Sequence, residues 1–155
     1  RMSVDSVIEV GCNVGFHTVR LAELVGPEGT VLGFEPNPDS FSVLEDNLIV
    51  CGLRNRVETR RQAVGNSDGA VRFRALRDEP AGSHIVEQGT ESWTARLPGE
   101  DIDVELVDIR GVIAGSQRAP DLIKIDVEGN EFAILEGLIT GYNKTGQLLR
   151  IPKKG

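Results

Sequence analysis

Three short stretches of this 155-residue chain carry residue types that do chemistry. The first, "EVGCNVG" from Glu9 to Gly15, sets a carboxylate just ahead of two glycines four residues apart. Without Cβ atoms, Gly11 and Gly15 let the chain turn sharply and let a ligand approach the backbone, and the helix start that follows offers N–H groups to an anion. The dinucleotide fingerprint G-x-G-x-x-G needs a second glycine two residues after the first, and Asn13 stands there, so NAD is disfavoured. Glu9 has apolar neighbours. An ionised carboxylate in that setting requires backbone N–H partners or a cation, such as a cofactor bearing an ammonium or sulfonium charge.

The second is Glu35, which ends the apolar run "TVLGF". A carboxylate at a strand end can accept hydrogen bonds from both hydroxyls of a ribose, although a solvated acid near the next helix start gives the same local pattern. The third, "KIDVEGNEF", packs Lys124, Asp126, Glu128 and Glu131 into eight positions. Strand alternation puts Lys124, Asp126 and Glu128 on one side, a costly arrangement unless they reach a cleft or pair with one another. Asp126 and Glu128 are the first candidates for a general base. His17, opening the helix after the glycine turn, is the second, and a polar helix-start residue would look the same. His84 in "AGSHIV" is a loop residue that a movable segment can deliver to a cleft. Two or three carboxylates without a further ligand do not specify a metal site.

These residues need elements to hold them. Ser6 to Val10 reads as a buried strand, and Val19, Ala22 and Val25 recur at helical spacing before Gly26-Pro27 stops the pattern. Thr30 to Phe34 is a second strand. Asn37 or Asp39 can cap the helix after it, Pro38 suits that helix's first turn, and Phe41, Leu44, Leu48 and Cys51 mark its inner face. Val57 to Val64 reads as a third strand, followed by the hairpin-like turn Asn66 to Gly69 and the alternating "VRFRA". Residues 76–101 carry no sustained period and read as a mobile loop, and "DIDVELVDI" as a strand running into a short helix. Asp121 to Val127 is the last strand, with Phe132, Leu135 and Leu138 as the face of the helix behind it. Alternating strands and helices imply an open, mostly parallel α/β sheet with an inserted β-hairpin, whose ligands sit beyond the carboxyl ends of the strands.

The whole composition agrees with one domain that folds in water: 39% apolar and 26% charged residues. A formal charge of −7 with scattered Lys and Arg argues against a nucleic-acid partner. No apolar run approaches the ~20 residues of a membrane span, and no signal peptide is evident, so the expected location is cytoplasmic. Cys12 and Cys51 stand in unrelated segments and read as small buried apolar residues. The chain opens on Arg1 almost directly ahead of the first strand, as a trimmed domain would.

In order and spacing, "EVGCNVGFHT", "GFEPNPDSFSVLEDN", "QAVGNSDG" and "DLIKIDVEGNEFAILEG" resemble the FkbM family of S-adenosylmethionine-dependent methyltransferases, over about Val7 to Leu138. The resemblance implies a Rossmann-like class I methyltransferase fold and methyl transfer to a hydroxyl on a sugar, lipid or polyketide-like metabolite. It assigns Glu9, Gly11, Asn13 and Gly15 to the first cofactor motif, where the family more often has Asp in place of Glu9. It assigns Glu35 to the ribose, Pro36 and Asn37 to the flank of the adenosine, and Gln62 and Ala63 to the adenine. Asp126, Glu128, Gly129 and Glu131 match the D-V-E-G-x-E signature beside methyl transfer. Two departures stand out. "ELVD" at Glu105 to Asp108 keeps only part of the family's Thr-Leu-Asp-Asp stretch, and nothing after the last helix resembles the family's later strands. Residues 1–141 are accordingly expected to form the cofactor-binding domain, truncated after its fourth parallel strand, with 142–155 as an atypical tail. A cofactor-binding module without catalysis and a nucleotide-binding oxidoreductase are the alternatives; neither the acceptor nor the oligomeric state is legible.

Overall fold

The computed structural model describes residues 3–86 and 96–145. Its first sheet holds four parallel strands in the order β3-β2-β1-β8: β1 (Ser6–Val10), β2 (Thr30–Phe34), β3 (Val57–Arg60) and β8 (Leu122–Ile125). Helix α1 (Phe16–Val25) joins β1 to β2, and α2 (Pro38–Val50) joins β2 to β3. The sheet reverses direction of growth at β1, with β2 on one side and β8 on the other, which opens a crevice at their carboxyl ends.

Side-chain alternation along β1 divides the core. Val7 faces a cluster with Ala22, Leu44 and Leu48 from α1 and α2, whereas Ile8 and Val10 face Ile109, Val112 and Ile134. The second group comes from α3 (Ile109–Gly115) and α4 (Glu131–Thr145). Glu9 shares the parity of Val7 yet is completely buried, so a charge sits inside an otherwise apolar layer.

A second sheet, in the order β4-β7-β5-β6, grows off the first. It consists of β4 (Ala63–Gly65), β5 (Gly69–Leu76), β6 (His84–Ile85) and β7 (Gly99–Asp108). The single strand expected over Val57 to Val64 is therefore two. The amide of Glu35 donates to Arg60 O at 3.1 Å, the chain bends at Arg61-Gln62, and β4 pairs with β7 instead of β2. The expected hairpin partner also changes. On that side the strand antiparallel to β5 is β7, not β4, because β7 lies between them and Asp68 of the connecting turn accepts from Asp108 N at 2.8 Å. Of the loop expected over 76–101, the structure shows a 3₁₀ turn at Pro80–Gly82, then β6 and the start of β7; residues 87–95 lie outside the described segments. The expected tail from 142 on begins inside α4, which runs to Thr145, and its remainder also lies outside them.

Two helix faces differ from their apolar pattern. On α4 the buried side is Ile134 with Gly137 and Leu138, while Phe132 is 77% exposed and Leu135 is exposed too. Gly137 sets this phase: a Cβ there would stand 2.9 Å from Ile109 Cγ2 and 3.2 Å from Asn66 Cβ, so the helix packs through a residue that an apolar count omits. On α2, Cys51 falls at the C-terminal cap and is exposed rather than buried, because the helix has left the core by then; Val50 is exposed with it. No helix among the described residues is long and apolar enough to cross a membrane.

Candidate active site

The glycine turn after β1 contains three left-handed residues, Gly11 (φ 84°), Asn13 (φ 50°) and Gly15 (φ 92°). Gly11 is obligatory for packing as well as for φ, since a Cβ there would lie 2.0 Å from the carbonyl oxygen of Asp126. The ends of β1 and β8 thus converge only over a glycine. At Gly15 a Cβ would press to 2.7 Å on Leu44 Cδ1, which ties the start of α1 against α2. The turn amides are directed inward: Gly11 N and Cys12 N both donate to Phe34 O, at 3.0 and 3.1 Å, and Asn13 N donates to Glu35 Oε2 at 2.8 Å.

Glu35 is the junction of the site. Its other oxygen, Oε1, accepts from Asn37 N at 2.9 Å, so one carboxylate joins the β1 turn to the start of α2. Burial pushes its acid equilibrium up, and the two backbone donors and the Lys124 charge pull the other way without cancelling the effect. A carboxylate offers about four lone-pair sites, so two amides leave acceptor capacity for two further donors. Asn37, rather than Asp39, caps α2: its Oδ1 accepts from Asp39 N at 2.9 Å and Ser40 N at 3.4 Å. Its Nδ2 reaches across to Ser83 Oγ at 3.0 Å and Leu76 O at 3.5 Å.

The cation that meets Glu9 is Lys124, its register partner on β8. Lys124 Nζ lies 3.1 Å from Glu9 Oε1 and 3.4 Å from Asp126 Oδ2, and it donates to Gly11 O at 3.1 Å. The approach to Glu9 is that of an ion pair without directed hydrogen-bond geometry, and neither Glu9 oxygen has a hydrogen-bond donor among the described residues. Cys12 packs beside it, and burial, with the Glu9 charge second, raises the thiol well above its ordinary value.

A cleft opens where these strand ends meet. Its walls include Gly11, Asn13, Glu35, Pro36, Gln62, Ala63, Asp126 and Glu128 among the expected site residues. Glu9, Gly15 and Asn37 lie behind this wall, and His17, exposed on α1 with its ring edge-on to Phe16, is not part of it. Gln62 Oε1 is buried and has no hydrogen-bond partner among the described residues, an acceptor that suits an amine donor in the cleft. β8 stops at Ile125, so Asp126 and Glu128 emerge on the turn beyond it, with Asp126 71% exposed. The far wall was mostly not legible in sequence: Phe73 of β5, then Pro80, Ser83, His84 and Ile85 of the segment after it, and Asn130, whose Nδ2 donates to Val64 O at 2.7 Å. Sequence signalled two parts of it, the alternation of "VRFRA" and His84 as a loop residue that can be delivered to a cleft.

Three comparisons bear on this arrangement. The model of the methyltransferase FkbM domain matches residues 9–147. Hexuronic acid methyltransferase AglP of Haloferax volcanii is 28% identical over 134 residues, 86% of this chain and 50% of that protein. Methyltransferase sdnD of Sordaria araneosa is 26% identical over 156 residues, 85% of this chain and 60% of that protein. The chain therefore spans about half the length of relatives it matches. The crystal structure of methyltransferase FkbM from Methylobacillus flagellatus aligns over 94% of this chain and 32% of its own, with a TM-score of 0.57 at 15% identity, a likeness of fold. With its glycine turn, strand-end acid and D-V-E-G-x-E segment gathered on one cleft of a mostly parallel α/β sheet, the chain belongs to the FkbM methyltransferase family.

Proposed function

We propose that this chain binds S-adenosylmethionine in the cleft and transfers its methyl group to a hydroxyl of a sugar, lipid or polyketide-like small molecule. The observation that carries the reading is Glu35, a buried carboxylate at the end of β2, oriented by two backbone amides and lining the cleft. Such a group accepts from the two hydroxyls of a ribose without reorganising. Gly11 and Asn13 form the floor next to it, Pro36 one flank, and Gln62 with Ala63 the place for the adenine, with Gln62 Oε1 accepting from its amine. Glu9, Gly15 and Asn37 hold these walls from behind. The cofactor supplies a methyl group already activated on sulfonium. What remains for the protein is to align the acceptor oxygen, exclude water and accept a proton.

Asp126 and Glu128 border the same cleft as Glu35 and are proposed to orient the acceptor hydroxyl. His17 stands apart from them and enters the reaction only if the acceptor extends over α1. The acceptor is a free metabolite or glycan, and the acidic balance of the chain suits neither a nucleic acid nor an anionic surface. A cytoplasmic setting fits the two unpaired cysteines.

Calorimetry tests the reading directly. Wild type is expected to bind S-adenosylmethionine, Glu35→Ala to lose about 10- to 150-fold in affinity, as charged hydrogen bonds of about 1.5–3 kcal/mol imply, and Asp126→Ala to bind within about threefold of wild type. Absence of binding by the folded wild-type chain refutes the proposal. A second reading is a module that binds the cofactor without turning it over. Turnover against hydroxylated sugars, hexuronic acids among them, separates the two.

A further inference from the structure

The charge of the cleft is one-sided. Its lining includes three carboxylates, Glu35, Asp126 and Glu128, and neither a Lys nor an Arg among the described residues. The ammonium of Lys124 stands behind this wall, 3.1 Å from Glu9 Oε1 and 3.4 Å from Asp126 Oδ2, and it donates to Gly11 O at 3.1 Å. Buried Glu9 matches its charge, so the acids of the lining keep a negative surplus. A cleft lined by one sign of charge focuses its field on whatever enters.

Glu128 is the lining acid left open for a ligand. Glu35 is oriented by two amides, and Asp126 faces Lys124. The side chain of Glu128 has no hydrogen bond or ion pair among the described residues. Its backbone is nevertheless fixed on both sides. Asp126 N donates to Val10 O at 3.0 Å, Glu128 forms a parallel bridge with His84, Gly129 turns the chain at φ 85°, and Asn130 Nδ2 donates to Val64 O at 2.7 Å. A charge held in place before the ligand arrives needs little reorganisation to meet it.

We propose that the acceptor of this chain carries an ammonium group beside its hydroxyl, as an amino sugar or amino alcohol does, and that Glu128 selects for it. The inference rests on the methyltransferase reading above and narrows it: carboxylated sugars, hexuronic acids among them, become poor acceptors. The methyl donor is itself a net cation, and it offsets only part of the surplus. An anionic acceptor therefore meets like charge in the cleft, and a cationic one meets opposite charge. A protonated amine has no lone pair to offer a methyl group, so the hydroxyl remains the group that is methylated.

The test uses the whole chain loaded with S-adenosylhomocysteine and three probes on one ring, the methyl glycosides of glucosamine, glucose and glucuronic acid, near neutral pH. Calorimetry is expected to rank them cation, neutral, anion, with the glucosaminide about 10-fold tighter than the glucuronide, the size that exposed charge pairs allow. Glu128→Gln is expected to shrink that ratio to about threefold or less, and added salt to narrow it in wild type. Equal affinities, a preference for the glucuronide, no binding of any probe, or a ratio that Glu128→Gln retains overturns the acceptor class while the function stands. Failure of wild type to bind either S-adenosylmethionine or S-adenosylhomocysteine refutes the function, and the acceptor class with it.

Discussion

Replacing Lys124 with Met is expected to be among the most damaging single changes near the cleft that leave its walls intact. Glu9 is completely buried, and its cation is the Lys124 ammonium at 3.1 Å, on a side chain that is one-fifth exposed. Removing one partner of a buried pair typically costs about 3–5 kcal/mol, because the other charge stays behind unpaired. The partial exposure of Lys124 admits water, which places Lys124→Met near the lower end, about 3 kcal/mol. For a chain of this length that lowers Tm by about 6–12 °C. Glu9→Gln should cost only about 1–2 kcal/mol, since Lys124 keeps Gly11 O and Asp126. The double variant Glu9→Gln/Lys124→Met should then cost about 2–3 kcal/mol, no more than Lys124→Met alone and short of the additive value by a coupling of about 2 kcal/mol. Asp126→Asn, at an exposed carboxylate, should fall within about 1 kcal/mol of wild type. Urea unfolding with a common m-value provides the assay. A Lys124→Met penalty below about 1 kcal/mol, or strictly additive single penalties, would show that Lys124 does not hold Glu9 in the way its position implies. Cofactor affinity should fall in the same variant, because the Lys124–Gly11 hydrogen bond that steadies the glycine turn goes with it.

Two further outcomes follow from the titrating groups. In the native protein a thiol reagent should modify Cys51 alone, and Cys12 only after denaturation, since Cys12 is buried and its thiol is pushed well above the ordinary range; two fast equivalents in the native state would contradict this. Glu35 has a raised acid equilibrium, chiefly from burial, so cofactor affinity should decline on acidification at a pH above that of an ordinary carboxylate. The folded state binds that proton more tightly than the unfolded chain, so this group's contribution to stability falls as pH rises through the window between the two values. Calorimetry across that range, with Glu35→Gln giving a flat profile, checks the assignment.

The first sheet was legible because each of its parts has a local cause. The glycines of the turn need left-handed φ, the residues of β1 are buried on both faces, and Asn37-Pro38 is a cap followed by a first-turn proline. The second sheet was half legible. "VRFRA" and "DIDVELVDI" announce strands, but nothing local to either says that β7 lies between β4 and β5, since that order depends on pairing between distant segments. The phase of α4 escaped for a different reason. Apolar counting finds Phe132 and Leu135, whereas the contact is made by Gly137, whose value lies in the atoms it lacks.

The charged residues show most clearly what sequence can and cannot carry. That Glu9 requires a cation follows from its apolar neighbours, but the identity of the cation depends on register, and parallel pairing places Lys124 beside it. An internal ammonium therefore occupies the role a bound sulfonium was expected to take, and the Glu9–Lys124 pair becomes a support for the turn at Gly11. The cleft is left to Glu35, whose two amide partners orient it from behind. Asn37 extends this logic, since its backbone reaches Glu35, its oxygen caps α2, and its amide reaches Ser83 beside His84. One buried side chain thus links the proposed ribose site to the far wall of the cleft. Asn37→Ala should accordingly loosen both the Glu35 carboxylate and the far wall, and lower cofactor affinity while the chain stays folded, which calorimetry beside a urea melt checks.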